Sequence, residues 1–352
     1  MNDATRPLDA RAAELLKLLV ERYVADGTPV GSRTLSRAAG LTLSPATIRN
    51  IMSDLDQLGM VSSPHTSAGR VPTQRGYRYF VDALLAPEPL PAGEQQHLLR
   101  ELLDRDDPDE TVQAASALLS SLSRMAGVVT LPRRNLSVLR RIEFLPLSDR
   151  RVLAILVVNE REVQNRVVHT DRDYGADELE RFANAVNQHF TGQDLTRLRE
   201  ALAEDVVAAK ACADQTLLQA VAMAERALQA PDSQGYVLAG GANLMGFQEL
   251  ADVQRLKSLF DALDRKRELL QLFDQCLGAD GVQIFIGQES GYRVLDECSV
   301  VTAPYTVNGT VAGVLGVIGP TRMAYGRIIP LVSETARVLG ESLAGRQAKR
   351  SS

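Results

Sequence analysis

Ser44-Pro-Ala-Thr-Ile-Arg-Asn-Ile-Met-Ser-Asp-Leu-Asp56 is the stretch on which the reading of the first 85 residues turns. Ser44 suits a helix N-cap, and Pro45 suits the first helical position, where a missing N–H costs nothing. From there Ile48, Ile51, Met52, Leu55 and Leu58 recur at helical spacing, and Gly59 stops the helix. The opposite face carries Ser44, Ala46, Thr47, Arg49, Asn50 and Ser53. Arginine matches guanine, asparagine matches adenine, and hydroxyls match either. The free amides of the helix N-terminus can also hold a phosphate oxygen. Taken alone, this is equally an amphipathic helix with a solvated polar face.

Its surroundings decide between those readings. Upstream, Asp9 caps a helix with Ala12, Leu15, Leu16, Leu19, Tyr23 and Val24 at helical spacing, closed by Gly27. A short helix from Arg33 to Ala39 then ends at Gly40. Downstream, Met60–Ser62 and Arg70–Pro72 can pair around a Pro64–Gly69 tip. Thr73 caps a further helix bearing Tyr77, Phe80, Val81, Leu84 and Leu85. Helix, helix, turn, helix and hairpin, in that order, make a winged helix-turn-helix. Duplex DNA is the expected partner, with protein docking on the same fold as the alternative. In the wing, Ser62-Ser-Pro-His-Thr-Ser-Ala-Gly-Arg70, hydroxyls, His65 and Arg70 are available for sugar–phosphate contact. His65 serves equally well as a turn residue. The expected DNA-contacting set is therefore Ser44, Thr47, Arg49, Asn50, Ser53, His65, Thr66, Ser67 and Arg70.

A net charge of −5 argues against nucleic acid only if it is spread evenly. Residues 31–80 hold six arginines against Asp54 and Asp56, a local +4 that leaves −9 for the rest. A basic module on an acidic body turns one face toward phosphate. The longest apolar run, Val152–Val158, is of strand length, far short of the ~20 residues a membrane span needs. With no signal-peptide core at the N-terminus, a cytoplasmic protein with no membrane partner is expected. Cys212, Cys276 and Cys298 lie far apart and read as reduced structural thiols.

Little supports catalysis. His97, His169 and His189 have no partner at metal-ligand spacing, and neither a G-x-S-x-G elbow nor a GxxxxGK[ST] loop occurs. Gly313-Val-Leu-Gly-Val-Ile-Gly319 reads as a buried strand, and Gly240-Gly-Ala-Asn243 as a tight strand-to-helix turn. A regulator is expected, not an enzyme, without metal or cofactor.

Beyond residue 85 the pattern changes. Ala86-Pro-Glu-Pro-Leu-Pro-Ala-Gly93 is a stiff linker, followed by helices at Glu94–Leu103 and Pro108–Gly127 and a strand at Val128–Leu131. Val138–Leu145, Val152–Val158 and Glu162–His169, joined by tight polar turns, form an antiparallel meander, and 176–230 is helical. Tyr236–Ala239 resumes strand character before two helices over 248–276. Strands follow at Val282–Gly287, Tyr292–Ser299, Val301–Val307 and Gly309–Ile318, then a helix from Tyr325 to Gly345. The middle block, 138–233, thus reads as an insertion into an α/β host with an antiparallel sheet.

Several long runs resemble the bacterial heat-inducible transcription repressor family HrcA over essentially the full length. They are Ser44-Pro-Ala-Thr-Ile-Arg-Asn-Ile-Met52 with Asp54-Leu55, Ser62 through Thr73, and Gly76-Tyr-Arg-Tyr79. Near the C-terminus they are Cys298-Ser-Val-Val301, Gly309, Gly313, Gly316-Val-Ile-Gly-Pro-Thr-Arg-Met323 and Tyr325. One departure is Gly240-Gly-Ala-Asn-Leu244 with Gln248-Glu-Leu250, where the family more often has Gly-Thr-x-Asn-Leu and a Pro-Glu-Phe-like triplet. The resemblance implies an α+β multidomain chain. A winged helix-turn-helix spans 1–85, with the linker at 86–93. A GAF-like domain is formed by 94–137 and 234–345, and a dimerisation domain of sheet plus helices is inserted at 138–233. It further implies a homodimer on the CIRCE inverted repeat upstream of chaperone operons, kept competent by the chaperonin GroEL and released on heating. A metabolite-sensing winged-helix regulator, with a ligand in the GAF-like body, is the competing expectation.

Overall fold

The computed structural model describes residues 8–37, 43–65, 69–105, 107–132, 139–158, 162–192, 219–220, 222–224, 226–227, 235–250, 252–265 and 267–350. Its first element, α1 (Ala10–Asp26), begins where Asp9 Oδ1 accepts the Ala12 N–H at 2.7 Å. It ends where Gly27, at φ +67°, donates to the Tyr23 carbonyl at 2.8 Å. Leu15, Leu16, Leu19 and Val20 are fully buried along one stripe. α2 (Ser32–Ser36) is shorter than the expected Arg33–Ala39 helix, whose end at Gly40 lies outside the described residues. α3 (Pro45–Gln57) is capped by Ser44, whose Oγ accepts the Thr47 N–H at 3.1 Å. Ile48, Met52 and Leu55 are buried beneath it. Leu58 falls beyond its last turn and is exposed, so the apolar stripe is shorter than its spacing suggested.

The hairpin follows as β1 (Val61–Ser62) and β2 (Val71–Pro72), antiparallel, with Val61 opposite Pro72. Val30 pairs with Arg70 through two backbone bonds of 2.9 Å, adding a third strand position to the wing base. A Cβ on Gly69 would lie 2.5 Å from the Val30 carbonyl, so this approach requires glycine. Thr73 Oγ1 accepts the Gly76 N–H at the start of α4 (Gln74–Tyr79), which runs on as a wider π turn over Phe80–Leu84. In the proline-rich stretch that follows, Leu90 is buried, and its carbonyl accepts from the Gln95 amide at 3.0 Å. α5 (Ala92–Leu103), α6 (Pro108–Ser123) and β3 (Ala126–Thr130) come next.

The chain forms two compact units, Met1–Pro132 with Gly235–Ser352, and Arg133–Gln234. In the second unit, β4 (Leu139–Leu147), β5 (Arg151–Val158) and β6 (Glu162–His169) form an antiparallel meander in the order 4-5-6. Ile142, Phe144, Val152, Ala154, Leu156 and Val168 point to one face of it. They bury against Leu179, Phe182 and Val186 of α7 (Ala176–Phe190) and against Ala220, Met223 and Ala224. Most of the expected helical segment after α7 lies outside the described residues, as does Cys212.

The first unit resumes with β7 (Tyr236–Ala239) and two 3₁₀ turns, Gly241–Gly246 and Gln248–Leu250. It continues with α8 (Val253–Arg265), α9 (Arg267–Cys276), β8 (Gln283–Ile286), β9 (Cys298–Val307), β10 (Thr310–Pro320) and α10 (Tyr325–Arg350). The sheet order is β7-β3-β10-β9-β8, every neighbour antiparallel. Alternate residues serve opposite faces: Val301 and Val317 join the core under α6 and α10, whereas Val300 and Ile318 join the core with α8 and α9. Burial on both faces explains the continuous apolar run of β10.

The strand expected at Tyr292–Ser299 is absent up to Glu297. Gly287–Ser290 and Arg293–Leu295 are 3₁₀ turns separated by Gly291 at φ +75°, and β9 starts only at Cys298. Within β10 the register shifts between Val311 and Gly313, and a Cβ on Gly316 would sit 2.4 Å from the Val301 carbonyl oxygen. These glycines serve close strand packing. Cys276 and Cys298 are buried free thiols; burial pushes Cys298 up to about 12. Among the described residues no helix is long and apolar enough to cross a membrane.

Candidate nucleic-acid interface

α3 owes its position to its buried side. With Ile48, Met52 and Leu55 sunk into the core against α1 and α2, the remaining face is turned outward. Ser44, Arg49, Asn50 and Ser53 are exposed there, and Thr47 is half-buried beside them. Ser44 Oγ lies 2.9 Å from Thr47 Oγ1 as well as accepting its N–H, so these two hydroxyls also close the helix end. No ion pair among the described residues holds Arg49. A cation, an amide and hydroxyls on two successive turns form a surface of donors and acceptors that suits base edges.

The wing lies beyond the C-terminal end of α3. His65 is exposed at its edge, with Ser63 Oγ donating to the His65 carbonyl at 2.7 Å. Thr66 and Ser67 lie outside the described residues. Arg70 differs from the free cation its place in the wing suggested. Its Nη2 pairs with Asp56 Oδ2 at 3.0 Å, and the side chain is only 27% exposed. An acid near the end of the recognition helix therefore ties that helix to the wing base and competes with phosphate for Arg70. Nothing local announces this pair, because its members are 14 positions apart and joined only when the hairpin closes.

The consequence is measurable. Asp56→Asn should release Arg70 to phosphate and steepen the salt dependence of DNA binding by about one unit in log–log slope. Arg70→Ala should flatten that slope more in the Asp56→Asn background than in the wild-type chain. Equal slopes for the wild type and Asp56→Asn would show that the pair does not govern Arg70.

Two further arginines, not among the expected DNA-contacting residues, link this module to the rest of its unit. Arg78 on α4 pairs with Glu289, and Arg322 before α10, itself paired with Glu249, donates to the Val24 carbonyl of α1. Tyr77 and Tyr325 pack between them with ring centroids 6.0 Å apart, and burial pushes both hydroxyls well above the ordinary tyrosine range. Among the described residues no group of three or more His, Cys, Asp or Glu side chains is placed to hold a metal ion.

Comparison with known proteins bears on this arrangement. Residues 8–83 match the family described as winged helix-turn-helix transcription repressor, HrcA DNA-binding. Residues 109–329 match the HrcA protein C terminal domain. The chain is 50% identical over 336 residues to the heat-inducible transcription repressor HrcA of Xanthomonas campestris pv. campestris, covering 96% of each. It is 49% identical to the proteins of that name from Methylobacillus flagellatus and Methylococcus capsulatus, over 96% of this chain in both cases and 98% and 96% of theirs. Among solved structures, a crystal structure of a hypothetical protein at 2.2 Å resembles it in fold. The TM-score is 0.59 at 20% identity, covering 97% of this chain and 100% of that one. With both parts of the family matched and half of the residues shared over nearly the whole length, the chain belongs to the HrcA family of heat-inducible transcription repressors, which bind DNA through a winged helix and are not enzymes.

Proposed function

We propose that this repressor binds the CIRCE inverted repeat of chaperone operons as a homodimer, and that the chaperonin GroEL maintains its active fraction. The observation that carries the reading is the exposed face of α3. Arg49, Asn50 and Ser53 project from a helix whose other side is locked into a core. In this reading Ser44, Thr47, Arg49, Asn50 and Ser53 meet base edges and adjoining phosphates, while His65, Thr66, Ser67 and Arg70 follow the sugar–phosphate backbone. Residues 1–85 read DNA and 86–93 connect; 94–137 with 234–345 form the GAF-like body, and 138–233 dimerise.

The two-fold part of the proposal is supported by the second face of the meander. Leu145, Leu147, Val163 and Val167 are exposed on it, and Leu145, Leu153 and Val167 fall in one cross-strand row. An apolar row left to water on a sheet face, between polar rows, is the kind of surface a partner covers. A second copy of the same face meets the symmetry of an inverted repeat.

A chaperonin that rescues unfolded chains changes how much repressor is competent, not how each copy grips DNA. Titrating operator at several temperatures separates these quantities: stoichiometric binding counts the active fraction, and dilute binding gives Kd. On heating the fraction should fall at constant Kd, and GroEL should restore it. A constant fraction with a shifting Kd would overturn the chaperonin reading and favour a metabolite sensor.

A further inference from the structure

The proline-rich connection after residue 85 suggests a spacer that holds the DNA reader away from its body, but in this unit the two are packed together. One apolar core runs from Leu15 and Leu16 of α1, through Tyr77 and Phe80, to Ile328 and Leu331 of α10. Two polar clamps flank it. On one side Arg322 Nη1 donates to the Val24 carbonyl at 3.1 Å, in the last turn of α1, while its Nε pairs with Glu249; both side chains are 20% exposed. A cation there also complements the negative end of the helix. A Cβ on Gly27 would lie 3.0 Å from the Arg322 guanidinium carbon, so the group is seated directly against the helix end.

On the other side, Arg78 Nε donates to Glu289 Oε1 at 3.0 Å and Nη2 to the Ile284 carbonyl at 2.6 Å. Glu289 is itself fixed, its Oε2 accepting the Ile286 N–H at 2.8 Å. Beside it the Gln74 amide donates to the Asp296 carbonyl at 3.2 Å. Half-buried ion pairs of this kind contribute little net stability but specify one geometry, and forked guanidinium contacts do so more strictly than an ammonium could.

We infer that Arg322 and Arg78 are positioning residues that fix the angle of the winged helix on its body and so set the spacing between half-sites that the repressor accepts. The inference rests on the inverted-repeat reading proposed above. One added base pair moves a half-site by about 3.4 Å and turns it by about 35°, which a rigid joint cannot follow. A reader tethered without these contacts could pivot at the ends of the connecting segment and follow it.

The test uses the full-length chain and duplexes in which the gap between two unchanged half-sites is varied base pair by base pair, with a single half-site as reference. The wild type should gain about 100-fold from the second half-site at one spacing and lose most of that gain one base pair away. Arg322→Gln and Arg78→Gln should each bind the single half-site within about twofold of wild type, lose about tenfold at the best spacing, and show a flattened spacing profile. Thermal unfolding checks that each variant is folded. If Arg322→Gln does not fold, Arg322→Lys, which keeps the charge without the fork, and Arg78→Gln carry the same comparison. An unchanged spacing profile in folded variants would overturn the inference, as would an equal loss on half-site and repeat. A wild-type chain that gains equally at every spacing would overturn the positioning role alone. One that gains nothing from a second half-site at any spacing would overturn the two-fold reading beneath it as well.

Discussion

Asn50→Ala should weaken operator binding by about 1–3 kcal/mol and relax the base preference at one position in each half-site, and Arg49→Ala should do the same at a neighbouring position. Both side chains stand on the exposed face of α3 and neither supports the core, so folding should be unaffected. An amide or guanidinium bonded to a base edge leaves that edge unsatisfied when removed, and the penalty depends on which base is present. Removing a phosphate-binding group from the same helix would instead weaken every duplex alike. The measurement is affinity on operator and on random duplex at fixed salt. A loss for Asn50→Ala that is equal on both would contradict the base-reading role.

The second large effect concerns the meander. Placing aspartate at both Leu145 and Val167, opposite Leu153 in one row of the exposed sheet face, should give a monomer by sedimentation. Affinity for the inverted repeat should fall by about 100-fold, the gain that joining two modest contacts into one provides. Affinity for a single half-site should not change. The core of that unit lies on the other face, through Ile142, Phe144, Ala154 and Leu156, so the substitutions leave it intact. A double variant that still sediments as a dimer would move the interface elsewhere.

What the sequence revealed was mostly local. Asp9 with Gly27, Ser44 with Pro45, and Thr73 each mark a helix end through contacts within a few residues, and all of them act as their type suggests. The hairpin Val61–Ser62 with Val71–Pro72 was readable because its turn residues and short apolar pairs lie close together. Reading failed where distant chain decides. Tyr292–Ser299 reads as a strand, yet Arg293–Leu295 coils into a 3₁₀ turn and β9 begins only at Cys298. Leu90 sits in a stretch that looks like bare linker but is buried.

The site divides in the same way. The outward set on α3 follows from its 3.6-residue period, since burying Ile48, Met52 and Leu55 leaves Arg49, Asn50 and Ser53 outside. The engagement of Arg70 by Asp56 was hidden, because charge counts treat each residue as free. Arg78 and Glu289, 211 positions apart, were hidden more deeply still. Each looked like an ordinary surface charge until the chain folded.

The most direct test is a titration of the full-length chain against an inverted-repeat duplex and a scrambled duplex of the same composition, at one salt concentration. The expected result is two chains per inverted repeat and a preference of at least about 10³-fold over the scrambled sequence. Equal affinity for the two duplexes, or one chain per repeat, would contradict sequence-specific recognition by a two-fold winged-helix repressor.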